Sequence, residues 1–339
     1  MDLPLRDDAR ALLALQAQRD TPAARRHGRA AADFNPFLGL PFKRVLVTGG
    51  TGFIGEALVR ALTDAGHAAT VLARSPRQAA TQFGGSVRIV SRLDALHADE
   101  SFDAVINLAG APVVGPPWSA ARKAVLLGSR VGTTRALGDW CARCTQPPAV
   151  WVQASAIGYY GVHPAHEHLT EQSPPDSSFM STLCTEWEAA AQAARPAGTR
   201  QVTFRLGVVF GPGGALPQLL RPYYFGFGGR LGDGQQAFSW VHRDDVLALF
   251  ARALADPTMD GVYNATAPEC PSQAEFARCA GRVLKRPVWF MVPAKPVRWL
   301  LGEMAQLFFD GQHVVPARLL EAGFQYRYPT LESALRREA

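Results

Sequence analysis

The residues best placed to do chemistry begin at position 48, in TGGTGFIG. Gly49, Gly52 and Gly55 recur directly behind the apolar run Val45, Leu46 and Val47. They stand directly ahead of FIGEALVRALTDAG, where apolar residues return at helical spacing until Gly66 stops them. Strand, tight turn and helix in that order make a dinucleotide site. One glycine permits the turn, one lets backbone approach a pyrophosphate, and one lets the helix pack on the strand, while the helix N-terminus offers free N–H groups and the positive end of its dipole. A second apolar run, AATVLA, follows and ends at Arg74 and Ser75. The ribose 2′-hydroxyl of NAD calls for Asp or Glu at that point. A cation beside a hydroxyl suits a 2′-phosphate instead, so NADP is the expected cofactor and NAD the less favoured one.

The elements that must carry these residues repeat along the chain. DAVINLAG at 103–110 reads as a buried strand running into a small-residue turn, where Leu108, Ala109 and Gly110 let a ribose lie close to the backbone. AVWVQASAIGYYG at 149–161 and QVTFRLGVVFGPGG at 201–214 repeat the form. Strands alternating with helices predict an α/β fold, a Rossmann-type doubly wound parallel sheet with ligands at the strand C-termini. The expected organisation is an N-terminal extension at 1–42, a dinucleotide-binding domain at 43–215 to which 237–265 return, and a smaller C-terminal α/β lobe at 216–339 over the cofactor cleft.

The whole chain sets limits on function. Its 339 residues are 47% hydrophobic and 19% charged, enough for a large core. No apolar run approaches the roughly 18 residues needed to span a bilayer, so no membrane partner is expected. The formal charge of +6 is scattered and forms no run of the kind that marks nucleic-acid binding, so no nucleic-acid partner is expected either. A small-molecule substrate is the expected partner, with a homo-oligomer left open. Five cysteines form an odd set without framework spacing, and Asp7 and Asp8 stand where a signal peptide would need basic and then apolar residues. A reducing cytoplasm is the expected compartment. Cys141 and Cys144 make a C-x-x-C pair, but with no second pair and no thioredoxin-like flank they read as incidental helix cysteines.

T-G-G-T-G-F-I-G at 48–55, N-L-A-G at 107–110, S-A-I-G-Y-Y-G at 155–161, R-L-G-V-V-F-G-P at 205–212 and S-W-V-H-R-D-D-V at 239–246 resemble the extended short-chain dehydrogenase/reductases. The resemblance is to the branch called epimerase family proteins, of the YfcH type. N-A-T-A-P at 264–268, L-K-R-P at 284–287, G-E-M at 302–304 and E-A-G-F-Q-Y-R-Y-P at 321–329 resemble that branch's C-terminal domain of unknown function. The resemblance covers residues 43–335. It implies NADP contacts from the turn and helix start, Gly49, Thr51, Gly52, Phe53, Ile54 and Gly55, and from Arg74, Leu108, Ala109, Arg130 and the backbone around Phe210. Arg130 suits a second phosphate anchor, since it sits on a helix after the NLAG turn.

In the extended enzymes a Ser and a Tyr-x-x-x-Lys pair on the next helix carry the proton chemistry, the lysine tuning the tyrosine. Ser155 stands in the serine position. The next helix reads FMSTLCTEWEAAA, so the tyrosine register falls on Phe179 or Met180 and the lysine register on Leu183 or Cys184. Three readings stay open: Tyr159 or Tyr160 donates the proton beside the nicotinamide, Cys184 serves as a thiol acid, or the protein binds NADP(H) without turnover. The fold and Ser155 favour an oxidoreductase or epimerase-like enzyme acting on a small carbonyl or hydroxyl compound. The lost pair favours a sensor or regulatory binder. His163, His166 and His168 in GVHPAHEHL lack a frame for a metal and read as a surface loop, and Asp244 or Asp245 reads as a helix cap. Relatives acting on nucleotide sugars usually place an arginine where this chain has Phe238. Arg221 and Arg230 are possible substitutes, but Tyr223, Tyr224, Phe225 and Phe227 around them suggest a pocket for something flat or apolar.

Overall fold

The computed structural model describes residues 34–339. Val45, Leu46 and Val47 form the centre of β1 (Arg44–Thr48), and the glycine turn leads straight into the helix Phe53–Asp64. Strands β2 (Ala68–Leu72), β3 (Arg88–Val90), β4 (Ala104–Asn107) and β5 (Val150–Ala156) follow with helices between them. Arg200–Leu206 and Gly261–Ala265 complete a seven-stranded sheet, all of whose pairs are parallel. Across the sheet the order is Gly261–Ala265, Arg200–Leu206, β5, β4, β1, β2, β3. The order reverses beside β1, which has β2 on one side and β4 on the other. Connections there leave for opposite faces and open a crevice at the strand C-termini.

Both faces of the sheet are covered, so its strands read as continuous apolar runs. Val45, Val47, Ile106, Val152 and Phe204 pack on one side with Leu58, Leu62 and Phe250, while Leu46, Val105 and Trp151 pack on the other with Leu137 and Trp140. The helix Arg243–Ala255 packs on this sheet and Gly261–Ala265 forms its edge strand. A second core joins Phe210 and Trp240 with Phe276 and Tyr328 of the C-terminal part. That part is clamped to the sheet domain where Leu301, Met304 and Leu307 pack against Trp118, Leu126 and Met180, with Lys123 paired to Glu303. Among the described residues no helix is long and apolar enough to cross a membrane.

The N-terminal boundary differs from the sequence expectation. Residues 1–33 of the segment read as an extension lie outside the described residues, but 34–42 are fastened to the sheet domain. Phe37 is fully buried in the main core, Asn35 Nδ2 donates to the Ala61 carbonyl at 2.6 Å, and His67 bridges the Phe37 carbonyl and the Lys43 amide. Phe34, Phe37 and Phe42, in a stretch otherwise rich in Ala, Arg and Pro, gave no periodic signal, so this anchoring was not legible.

Candidate functional site

The glycines of the first turn do separate jobs. Gly49 has φ +68°, and a Cβ there would meet the Leu108 carbonyl at 2.5 Å, so the turns after β1 and β4 pack backbone to backbone. A Cβ on Gly55 would lie 2.2 Å from the Gly49 carbonyl, which fixes how closely the helix approaches the turn. Gly52 differs: it is exposed, and the nearest atom a Cβ would meet is the Gly49 carbonyl at 3.3 Å. A Cβ there would press on that carbonyl far less than one at Gly55, whereas a ligand lying against the exposed backbone would demand glycine. Gly52 is also the N-cap of Phe53–Asp64 without any side-chain capping bond. The first-turn amides of Phe53, Ile54 and Gly55 are therefore left for an outside acceptor, and Thr51 stands exposed beside them. These residues fit a pyrophosphate.

The other expected cofactor residues are arranged around this turn. Arg74 and Ser75 follow β2, both exposed, and among the described residues Arg74 has no hydrogen-bond or ion-pair partner. Leu108 and Ala109 are half-buried and Gly110 exposed. A Cβ on Gly110 would lie 2.9 Å from Arg130 Cζ, so the guanidinium sits directly behind the NLAG turn. It donates to the Ala111 and Leu126 carbonyls and lies over the Trp187 ring, and burial lowers its pKa. Arg130 thus braces the turn. Phe210 is a core residue, stacked on Trp240 at 5.1 Å, so its side chain is closed off from the cleft. The turn behind it, Gly211 to Gly214, wraps the Phe53 ring, which meets the Cβ positions of Gly211, Gly213 and Gly214 at 2.7–2.9 Å.

Beneath the cleft, strand register aligns two rows of polar residues. Thr48, Asn107 and Gln153 are neighbours across β1, β4 and β5. The Thr48 hydroxyl donates to Asn107 Oδ1 at 2.6 Å, and Asn107 Nδ2 donates to Gln153 and Thr134. Two residues further along β5, Ser155 is aligned with Arg205, and Arg205 with Asn264. Ser155 Oγ donates to Glu188 Oε1 at 2.6 Å. Glu188 accepts two bonds from Arg205, at 2.9 and 2.8 Å, and Arg205 Nη1 donates to the Tyr160 hydroxyl at 3.0 Å, which donates to Asn264 Oδ1 at 2.6 Å. Arg205 Cζ also lies 3.2 Å from the centre of the Tyr159 ring. Burial works against the Arg205 charge, but the bonds to Glu188 and Tyr160 more than offset it and raise its pKa.

The structure therefore brings Ser155, Tyr159 and Tyr160 onto one guanidinium, but it does not leave them equally available. Tyr160 is fully buried, and burial pushes its phenol up to about 12. Its proton is held by Asn264. Tyr159 is half-buried, and among the described residues its hydroxyl has no hydrogen-bond partner. The thiol of Cys184 is fully buried and pushed up to about 12 by burial, with Glu188 adding to the effect, which makes it a poor acid. Neither register holds a tyrosine or a lysine, whether it is Phe179 with Leu183 or Met180 with Cys184, and Phe179, Met180 and Leu183 belong to the apolar seam with Trp118 and Met304.

Three further sequence expectations resolve here. His163 bonds Glu167 and the Tyr160 carbonyl, while His168 lies against His313 with ring centres 4.1 Å apart. The helix Arg243–Ala255 is capped by His242, whose Nδ1 accepts from the Asp244 amide, and not by Asp244 or Asp245. Asp245 instead accepts from the Arg327 and Tyr328 amides, tying the chain's end to this helix. Phe238 packs against Phe210 and Phe276, and Arg221 and Arg230 are exposed.

A parallel doubly wound sheet with this glycine turn and this strand-end serine defines an NAD(P)-binding, epimerase-like protein of the extended short-chain dehydrogenase/reductase type. Residues 45–265 match the NAD dependent epimerase/dehydratase family, and the chain belongs to it; residues 292–338 match the domain of unknown function DUF1731. Among relatives, epimerase family protein SDR39U1 of Bos taurus is 39% identical over 298 residues, covering 86% of this chain and 98% of the relative. Epimerase family protein YfhF of Bacillus subtilis is 34% identical over 292 residues, covering 86% of this chain and 96% of the relative. The crystal structure of human epimerase family protein SDR39U1 (isoform 2) with NADPH superposes with a TM-score of 0.79 at 37% identity, covering 87% of this chain and 99% of the other.

Proposed function

We propose that the protein is an NADP(H)-dependent oxidoreductase or epimerase-like enzyme acting on a small carbonyl or hydroxyl compound, with Ser155 binding the reacting oxygen and Tyr159 as proton donor. The observation that carries this reading is the convergence on Arg205. One buried guanidinium orients Ser155 through Glu188, holds the Tyr159 ring by its face and anchors Tyr160 by a hydrogen bond. A cofactor bound on the glycine turn would supply the redox half of the reaction. The chain's own residues supply the other half. Ser155 Oγ can turn from Glu188 toward a substrate oxygen, because Arg205 keeps the carboxylate paired when that bond is released. Tyr159 can then give its proton to the same oxygen, while Tyr160 stays in place as the anchor.

NADP(H) is the proposed cofactor. Arg74 follows β2 by two residues, at the place where the 2′-phosphate would lie, and has no partner among the described residues; the human relative was crystallised with NADPH. A reducing compartment such as the cytoplasm suits the five free cysteines.

A second reading, binding without turnover, draws on the engagement of the Ser155 and Tyr160 protons by protein acceptors. Oxidation of NADPH measured over a panel of carbonyl compounds and quinones separates the two. Substrate-dependent oxidation that falls in Tyr159→Phe with cofactor affinity unchanged supports the enzyme and its donor. Full activity in that variant removes Tyr159 from the role. Tight NADPH uptake without oxidation by any compound leaves the binder.

A further inference from the structure

We propose that the face built on the strand pair Gly229–Leu231 and Phe290–Val292 docks on an anionic lipid surface. No membrane partner is expected from a sequence without a spanning run, but a peripheral site needs none. The two strands are parallel and their flanks are tied together: Trp289 Nε1 donates to the Gly226 carbonyl at 3.1 Å, and the Phe227 and Phe290 rings meet edge to face. The strand Phe290–Val292 is exposed at every residue. Trp289 is 74% exposed, Phe225 67% and Phe227 61%, and the adjoining helix Ala294–Leu301 half-buries only Ala294, Val297 and Leu301, leaving Trp299 88% exposed.

Charge selects the occupant. Residues 221–230 and 285–301 contain no Asp or Glu, yet they carry Arg221, Arg230, Lys285, Arg286, Lys295 and Arg298. Among the described residues only Arg298 of these has an acidic partner, Asp310. Asp233, in the turn after Leu231, is an acid close by in sequence. Arg278, Arg282, Lys285 and Arg286, with Val288 next to Trp289 in the chain, line a cavity of about 440 Å³; Arg282 is also 3.7 Å from Glu332. A second copy on this face would set a majority of cations against cations, with few acids to answer them. A bilayer bearing anionic headgroups answers both features, taking tryptophan and phenylalanine at the headgroup level and pairing lysine and arginine with phosphate and carboxylate.

The test is co-sedimentation of the full chain with vesicles of phosphatidylcholine alone and of equal parts phosphatidylcholine and phosphatidylserine, read together with tryptophan emission and sedimentation velocity. Binding to the anionic vesicles, weakened by salt and accompanied by a blue shift, is the expected result. Lys285→Glu with Arg286→Glu should weaken it by about fivefold per charge or more. Trp289→Ala with Trp299→Ala should abolish the blue shift, while NADPH affinity shows that both variants remain folded. Equal binding to the two vesicle types, no binding to either, or unchanged binding by both variants overturns the proposal. So does a dimer that Trp289→Ala with Trp299→Ala converts to monomer in the absence of lipid, since a second copy would then be the occupant.

Discussion

Arg205→Leu isolates the residue on which the site is organised. The Arg205 side chain is 4% exposed and that of Glu188 14%, so the pair sits largely out of water. Removing the guanidinium strands the Glu188 carboxylate, whose remaining side-chain partner is Ser155, and takes a donor from Tyr160. Breaking one side of a buried ion pair costs about 3–5 kcal/mol. With an unfolding entropy of about 2.1 cal/mol/K per residue, a chain of this length should lose about 4–7 °C in Tm. Glu188→Leu alone should cost a comparable amount, because it leaves Arg205 unpaired. Replacing both by Leu removes both stranded charges, so the double variant should lose less than the sum of the single losses, by about 2–3 kcal/mol. Urea denaturation of the four proteins without cofactor measures the cycle. Additive losses would show that Arg205 and Glu188 act separately, and the argument that one guanidinium positions Ser155 would fail.

Three other outcomes follow from single positions. Arg74→Ala should reduce the preference for NADPH over NADH by about tenfold or more, the worth of a charge-assisted contact, and equal calorimetric affinities for the two cofactors in the unmutated protein would remove the basis for it. Gly52→Ala should lower Tm much less than Gly55→Ala while weakening cofactor binding, because a Cβ meets the Gly49 carbonyl at 3.3 Å from position 52 and at 2.2 Å from position 55; equal effects on both quantities in both variants would contradict the division of labour in the turn. Burial raises Asp245 from 3.8 to about 6, with the Arg327 and Tyr328 amides opposing the shift. Because the folded-state value exceeds the unfolded one, the contribution to stability is full below about pH 4 and is lost as pH rises through about 6, to an extent of about 3 kcal/mol. Asp245→Asn should flatten the fall in unfolding free energy over that window.

The cofactor half was legible because its information is local. The spacing of Gly49, Gly52 and Gly55 between an apolar strand and an amphipathic helix specifies a turn within eight residues, and the repeated strand–helix pattern specifies the parallel sheet around it. The site at Ser155 was legible only at one corner. Glu188 is 33 residues from Ser155 and 17 from Arg205, and Asn264 is 104 from Tyr160; parallel pairing and the packing of one helix bring them together. Arg205 carried the strongest unused signal. A charge one residue before the end of the buried strand Arg200–Leu206 has to find a partner in the interior, and Glu188 breaks an apolar helix at the height that supplies one. With apolar packing at Met180 and Leu183, that helix no longer presents a tyrosine and lysine to the cleft and contributes an acceptor to Ser155 instead. The ordering cation now comes from the sheet, and the free phenol beside it belongs to the turn after β5. Tyr159 is therefore the residue through which proton transfer on this scaffold has to be tested.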